Sequence, residues 1–162
     1  MSVKYLGQPF DIHAGGIDLL FPHHENEIAQ SEGAAGKPLA RFFVEAEHLL
    51  VDGKKMSKSL GNFFTLEDIR KHASGFSPLT FRYFILTAHY RSLLNFTWDA
   101  LAAAEQSLRR LRERVVALAQ SPKSQNNAAF RKEFANAVND DLDTPRALAA
   151  LFFAWEVVQF VK

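Results

Sequence analysis

Lys55-Met56-Ser57-Lys58-Ser59 places two ammonium groups and two hydroxyls around a single apolar side chain. Such a set suits a triphosphate, because lysine acts as a point charge on phosphate oxygens and hydroxyls add hydrogen bonds. On residue types alone, a Lys/Ser-rich loop is more often a solvated turn. A second set lies upstream, in His23-His24-Glu25-Asn26-Glu27. On a helix, His23 and Glu27 stand at i and i+4 and share a face, offering zinc one nitrogen and one carboxylate oxygen. Two ligands do not make a zinc site, which usually takes four. The commoner reading of these residues is a polar helix start whose glutamates favour the positive end of the dipole. Gly15-Gly16 and Asp18 form a third set. Paired glycines after a strand let the backbone approach a ligand, though they more often mark a plain turn.

The elements that must position these residues are legible in outline. Met1–Pro9 reads as the tail of a helix closed at Gly7, and Phe10–His13 as a short alternating strand. Pro22 suits the first turn of a helix over roughly 22–33. Gly33–Pro38 is a loop, and Leu39–Phe43 a short apolar segment. Glu47–Val51 reads as a strand entering the Asp52-Gly53 hairpin turn, so the lysine loop is pinned in front by that turn and behind by Gly61-Asn62. Thr65-Leu66-Glu67-Asp68 has the form of a capping box. Ser77-Pro78 is a cap-then-proline helix start, and Phe81, Tyr83 and Phe84 on that helix read as core rather than as a base-stacking platform. Thr97 caps a helix whose Leu101, Ala104, Leu108, Leu111, Val115 and Leu118 form one packing stripe. Arg109, Arg110, Arg112 and Arg114 crowd the same helix and read as a solvated face ahead of a nucleic-acid backbone contact. Ser121–Asn127 is a linker. After a helix with Phe130, Phe134 and Val138 and the polar turn Asn139–Asp143, Thr144-Pro145 starts a last helix. Its Phe152, Phe153, Trp155, Val158 and Phe160 are expected to drive self-association.

Composition sets the bounds. The chain has 162 residues, 48% of them hydrophobic, and a formal net charge of +1. A sizeable core is affordable, and no global charge argues for nucleic acid. No apolar run is long enough to span a membrane and no secretory signal pattern opens the chain. The absence of cysteine fits a cytoplasmic location without disulfides.

Together these stretches resemble the cysteinyl-tRNA synthetases, a class I aminoacyl-tRNA synthetase family. The likeness is carried by Phe10–Gln30 (FDIHAGGIDLLFPHHENEIAQ), Lys55–Phe63 (KMSKSLGNF), Phe81–Phe84, His89–Ser92 and Asn139–Pro145, in that order. It implies an α/β remnant of a Rossmann-like nucleotide-binding domain followed by a mostly α-helical bundle segment. The expected divisions are 1–65 for the catalytic half with its loop, 66–96 for connecting helices, and 97–162 for the start of the bundle. It also implies ATP-dependent activation of cysteine to cysteinyl-adenylate and transfer to tRNA(Cys), with ATP carried as its Mg2+ complex. Lys55 and Lys58 match the catalytic lysines of the loop. Met56, Ser57, Lys58, Ser59, Gly15, Gly16 and Asp18 match the ATP and adenylate contacts, and His13 a residue of the substrate pocket. His23 and Glu27 match two zinc ligands, the metal taking the substrate thiolate.

Departures qualify the resemblance. The family's other two zinc ligands are cysteines, its HIGH-type motif and anticodon-reading domain have no counterpart here, and Glu45 stands near a position where many members carry histidine. The chain therefore reads as an excised piece, expected to be inactive alone. Two alternatives are a cysteine-activating ligase for a small amine acceptor and a non-catalytic interaction module derived from the synthetase.

Overall fold

The computed structural model describes residues 2–72, 75–119 and 128–160, with side chains in the last helix through Phe153 and the side chains of 118–119 left out. The expected linker Ser121–Asn127 lies outside the described residues, as do the side chains of Leu118, Trp155, Val158 and Phe160. The chain forms two compact units, Met1–His48 with Tyr90–Leu93, and Leu49–His89 with Leu94–Lys162. The first division thus falls upstream of the expected 65/66 boundary, and the lysine loop belongs to the second unit.

In the first unit, α1 (Ser2–Leu6) leads to β1 (Phe10–Gly16), α2 (Glu25–Ala35) and β2 (Ala40–Ala46). β1 and β2 pair in parallel from Phe10↔Ala40 to Gly16↔Ala46, the pairing that a helical crossover produces. Their core is Phe10, Leu39 and Ala40, with Ile28 and Phe43 packed against them. The paired Ile12 and Phe42 are exposed. The α-helix begins later than its proline suggested. Phe21 is extended (φ −131°, ψ 130°), as a residue before proline prefers, and one wide turn over Leu20–His24 precedes Glu25. Tyr90 joins this unit by accepting the Glu47 N–H at 2.8 Å.

In the second unit, β3 (Leu49–Val51), β4 (Lys54–Lys55) and β5 (Leu94–Phe96) form a sheet in the order β4-β3-β5. The β3–β4 hairpin turns on Asp52 and Gly53, with φ of 49° and 73°, the pair of positive angles that the Asp-Gly sequence supplies. α3 (Leu66–Lys71) carries the complete capping box of Thr65 and Asp68. Both Thr65 bonds to the Asp68 carboxylate hold its pKa below the ordinary value, so this contribution is present near neutrality and is lost only as pH falls below the usual carboxylate range. α4 (Pro78–Leu86) is capped by Ser77, whose Oγ accepts the Leu79 N–H at 3.1 Å.

β5 is the element the sequence did not disclose. Three residues with one asparagine among them show no period, yet Phe96 is buried and Asp52 N–H donates to its carbonyl at 3.0 Å. Around it gather Val51, Ile69, Tyr83, Phe84, Leu101 and Ala104, so the aromatic residues of α4 are core. Trp98 packs edge-on against Phe96 and stacks face-on with His72, centroids 3.9 Å apart. Thr80 is fully buried and its hydroxyl donates to the Glu105 carboxylate.

α5 (Trp98–Ala119) begins as expected, with the Thr97 hydroxyl accepting the Ala100 N–H at 3.0 Å. Its packing stripe is shorter than the pattern. Leu101 and Ala104 are buried, Leu108 and Leu111 flank the core, and Val115 is 57% exposed. Among its arginines, Arg109 pairs with Glu113, and Arg114 lies over the Phe152 ring, 5.0 Å from its centroid. α6 (Ala128–Asn139) and α7 (Thr144–Phe160) follow. The side chain capping α7 is Asp143, which accepts the Arg146 N–H at 3.0 Å, whereas Thr144 donates to the Ala88 carbonyl at 3.4 Å. Phe153 is 65% exposed. Among the described residues no helix is long and apolar enough to cross a membrane.

Leu101 is 0% exposed at the centre of this core. Leu101→Ala is expected to lower stability by about 2–5 kcal/mol through lost transfer energy and an unfilled cavity. Urea unfolding checks this, and a cost well under 1 kcal/mol would show that the site collapses around the smaller side chain.

Candidate active-site elements

Of the three sets expected to carry chemistry, two fall in the first unit and the lysine loop in the second. In the first unit, β1 supplies His13, the turn before α2 supplies His24, α2 supplies Glu27 and β2 supplies Glu45. His13 Nε2 lies 2.6 Å from Glu27 Oε2, and His24 Nδ1 lies 2.6 Å from Glu45 Oε1. The two imidazoles lie tilted by 55° with centroids 4.6 Å apart, and Phe10 and Phe43 pack against His13 in T-shaped contacts. His24 is 3% exposed. The register explains its depth, because Gly15 stands opposite Glu45. A Cβ on Gly15 would come within 2.7 Å of His24 Cε1 and 2.8 Å of its Nε2. Gly15 therefore serves as space for a histidine ring. Asp18 folds back on Gly16, with Oδ1 2.5 Å from where a Cβ would stand.

The structure brings together His13, His24 and Glu27, whose ligand atoms all lie within 4.8 Å of one another. His23, expected to act with Glu27, is exposed and stands outside this group. Two imidazole nitrogens and a carboxylate oxygen suit zinc in kind and are one short of its usual four ligands. The 162 residues hold no cysteine to supply the fourth. Glu45 backs the group. A neutral His24 donating from Nδ1 to that carboxylate keeps Nε2 as its lone-pair nitrogen. The second Glu45 oxygen, Oε2, is buried without a partner among the described residues. Glu45 is not legible from its neighbours in the chain, since its partner is 21 residues away.

In the second unit, the lysine loop leaves β4 at Lys55 and reaches α3 through Phe63 and Phe64. Met56 is half-buried against the core, while Lys55, Lys58 and Ser59 are exposed. The loop satisfies itself. Ser57 N–H donates to Asn62 Oδ1 at 2.8 Å, and Asn62 Nδ2 donates to the Lys55 carbonyl at 3.1 Å. The Ser57 and Ser59 hydroxyls are 2.7 Å apart, and Leu60 N–H donates to Ser57 Oγ at 3.2 Å. Lys58 Nζ lies over the Phe63 ring, 5.6 Å from its centroid. In front, Gly53 N–H donates to Asn95 Oδ1 at 2.7 Å. Two exposed ammonium groups with hydroxyls beside them, on an anchored loop and without a salt bridge among the described residues, can meet a polyphosphate.

Comparison with known proteins places the fold and the family. A LeuRS from Agrobacterium radiobacter K84, solved as a ternary complex with tRNA and LeuAMS, matches with a TM-score of 0.69 at 15% identity, over 94% of this chain and 23% of that one. The fold is thus that of a class I synthetase. The family model of the tRNA synthetases class I (C) catalytic domain matches residues 1–106, and the chain belongs to that family. The cysteine--tRNA ligase of Opitutus terrae is 53% identical over 152 residues, covering 94% of this chain and 32% of the relative. That of Chlamydia felis is 50% identical over 161 residues, covering 94% and 33%. The chain thus spans about a third of the length of the curated relatives it matches.

Gly15→Ala is expected to drive His24 off Glu45, because the added methyl group meets ring atoms already closer than any ordinary contact. The check is the hydrogen-bonded imidazole N–H of His24 by NMR. Its disappearance on substitution is the expected result, and its persistence would mean that the β1 backbone yields instead.

Proposed function

We propose that this chain supplies the loop-bearing part of a cysteine--tRNA ligase, acting on ATP, cysteine and tRNA(Cys). The observation that carries the reading is the joint presence of the self-braced Lys55–Ser59 loop and the His13/His24/Glu27 group, on a chain about half identical to named cysteine--tRNA ligases. In the reaction, the cysteine carboxylate attacks the α-phosphate of ATP, and the bond to pyrophosphate breaks. Lys55 and Lys58 would neutralise the charge gathering on the departing phosphates. Met56, packed on the core, would hold the loop's depth while Ser57 and Ser59 contact ATP. Gly15, Gly16 and Asp18 would line the adenylate.

Glu27 is common to the pair inferred from the sequence and to the group seen in the structure. His13 and His24 complete it by geometry, and His23 by family pattern. Zinc, when bound, would take the substrate's thiolate, a soft ligand that separates cysteine from serine. His13 and Glu27, already in contact, would define the pocket wall. Self-association through α7 rests, among the described side chains, on exposed Phe153 and is separate from the ligase reading.

The test is a chimera in which residues 1–162 replace their counterpart in the Opitutus terrae enzyme. Cysteine-dependent ATP–pyrophosphate exchange is expected, and Lys58→Ala should lower it by roughly 2–4 kcal/mol in activation free energy, the scale of one preorganised donor. A folded chimera without exchange would overturn the reading, and an unchanged Lys58→Ala rate would remove Lys58 from the site.

A companion measurement concerns metal. With no cysteine in its sequence, the 162-residue chain should retain well under one zinc after dialysis, because affinity depends on a complete ligand set. Stoichiometric zinc would show that the histidines and carboxylates of the first unit suffice.

A further inference from the structure

The loop's two lysines differ in what orders them, and the difference points to a residue outside the five that carry the chemistry. Asn62 uses both ends of its amide on the loop's own backbone, Oδ1 toward Ser57 N–H and Nδ2 toward the Lys55 carbonyl. Those two backbone groups flank Met56. The contacts therefore fix the chain direction at the point where Lys55 leaves and Ser57 turns toward Lys58. Ser57 Oγ continues the brace to Leu60 N–H. Lys58 has its carbonyl held by the Gly61 N–H at 3.2 Å, while its ammonium group lies over Phe63, a contact worth about 0.5–1 kcal/mol at an exposed site. A polyphosphate outbids such a contact, whereas a backbone tied at two atoms stays as it is.

We propose that Asn62 is a positioning residue of the lysine loop. It holds the Lys55–Ser57 backbone in one conformation, so that the stem of Lys55 leaves the loop from a fixed point while the Lys58 side chain swings from the Phe63 ring onto phosphate. The inference rests on the reading of this loop as a phosphate site. Asn62 touches no reacting atom in this role; it acts through the backbone of Lys55 and Ser57.

The experiment uses the whole 162-residue chain and two readouts. The first is amide hydrogen exchange at Ser57, followed by NMR. Asn62→Ala should speed it by roughly tenfold, the scale of one or two ordinary hydrogen bonds. Asn62→Asp, which keeps an acceptor for Ser57 N–H, should restore most of the protection, a rescue that general loosening would not show. Unchanged core amide signals, such as those of Leu101 and Val51, confirm that each variant is folded. Equal Ser57 protection in wild type and Asn62→Ala would overturn the proposal.

The second readout is titration with MgATP. Asn62→Ala should weaken binding by a factor similar to its exchange effect, while Lys58→Ala weakens binding and leaves Ser57 exchange unchanged. If Lys58→Ala weakens binding and Asn62→Ala does not, Asn62 orders the loop to no functional end, and the proposal fails. If wild type shows no MgATP binding at all, the phosphate reading of the isolated chain fails instead. Ser57 exchange then decides alone whether Asn62 holds the loop.

Discussion

A short loop that presents bare ammonium groups to solvent keeps a defined shape only if its backbone polar groups are satisfied and its ends are fixed. Everything else in the second unit follows from that constraint. Val51, 1% exposed, anchors the strand entering the loop, and Ile69, 3% exposed, anchors the helix leaving it. Both sit in one cluster with Phe96 and Leu101. Met56 ties the middle of the loop to the same surface. The lysines are thus exposed at their tips and fixed at their roots, so that the backbone from which they reach a charged group need not reorganise.

The first unit solves a different problem with similar means. A histidine can be buried only with a partner for its polar nitrogens, and His24 finds one in Glu45 across the parallel pair. That burial requires a residue without a side chain at position 15, and it carries His24 to within reach of His13 and Glu27. The cluster follows from strand register as much as from ligand choice. Sliding β2 by one residue would turn Glu45 to the opposite face and leave His24 buried without its carboxylate.

How much of this was readable beforehand depended on the range of the interactions. Caps at Thr65, Ser77 and Thr97, the Asp52-Gly53 turn and the lysine loop are encoded within a few residues and appear where the sequence put them. The α5 stripe was legible in period but not in extent, because Val115 fits the pattern and nothing in the pattern says where the partner surface ends. His24, Glu45, Asn95 and β5 were not legible. Each acts through a partner 21 or more residues away, and a three-residue strand offers no periodicity. Pro22 misled because a proline constrains the residue before it as firmly as it suits a helix start. At α7 the cap fell on Asp143, one residue before the threonine, its carboxylate accepting the Arg146 N–H in the manner of an N-cap.

The Asp52-Gly53 turn has a bearing on how this protein ages. An aspartate followed by glycine is the dipeptide whose carboxyl group is most open to attack by the next peptide nitrogen, the ring closure that begins isoaspartate formation. Here that nitrogen is occupied, its hydrogen directed at Asn95 Oδ1, and the Asp52 N–H is fixed to the Phe96 carbonyl. The conformational search that ring closure needs is therefore suppressed for as long as β5 stays paired. The strand that braces the lysine loop also guards the covalent backbone at the loop's entrance, so chemical damage at this turn would accumulate mainly in molecules that have lost β5.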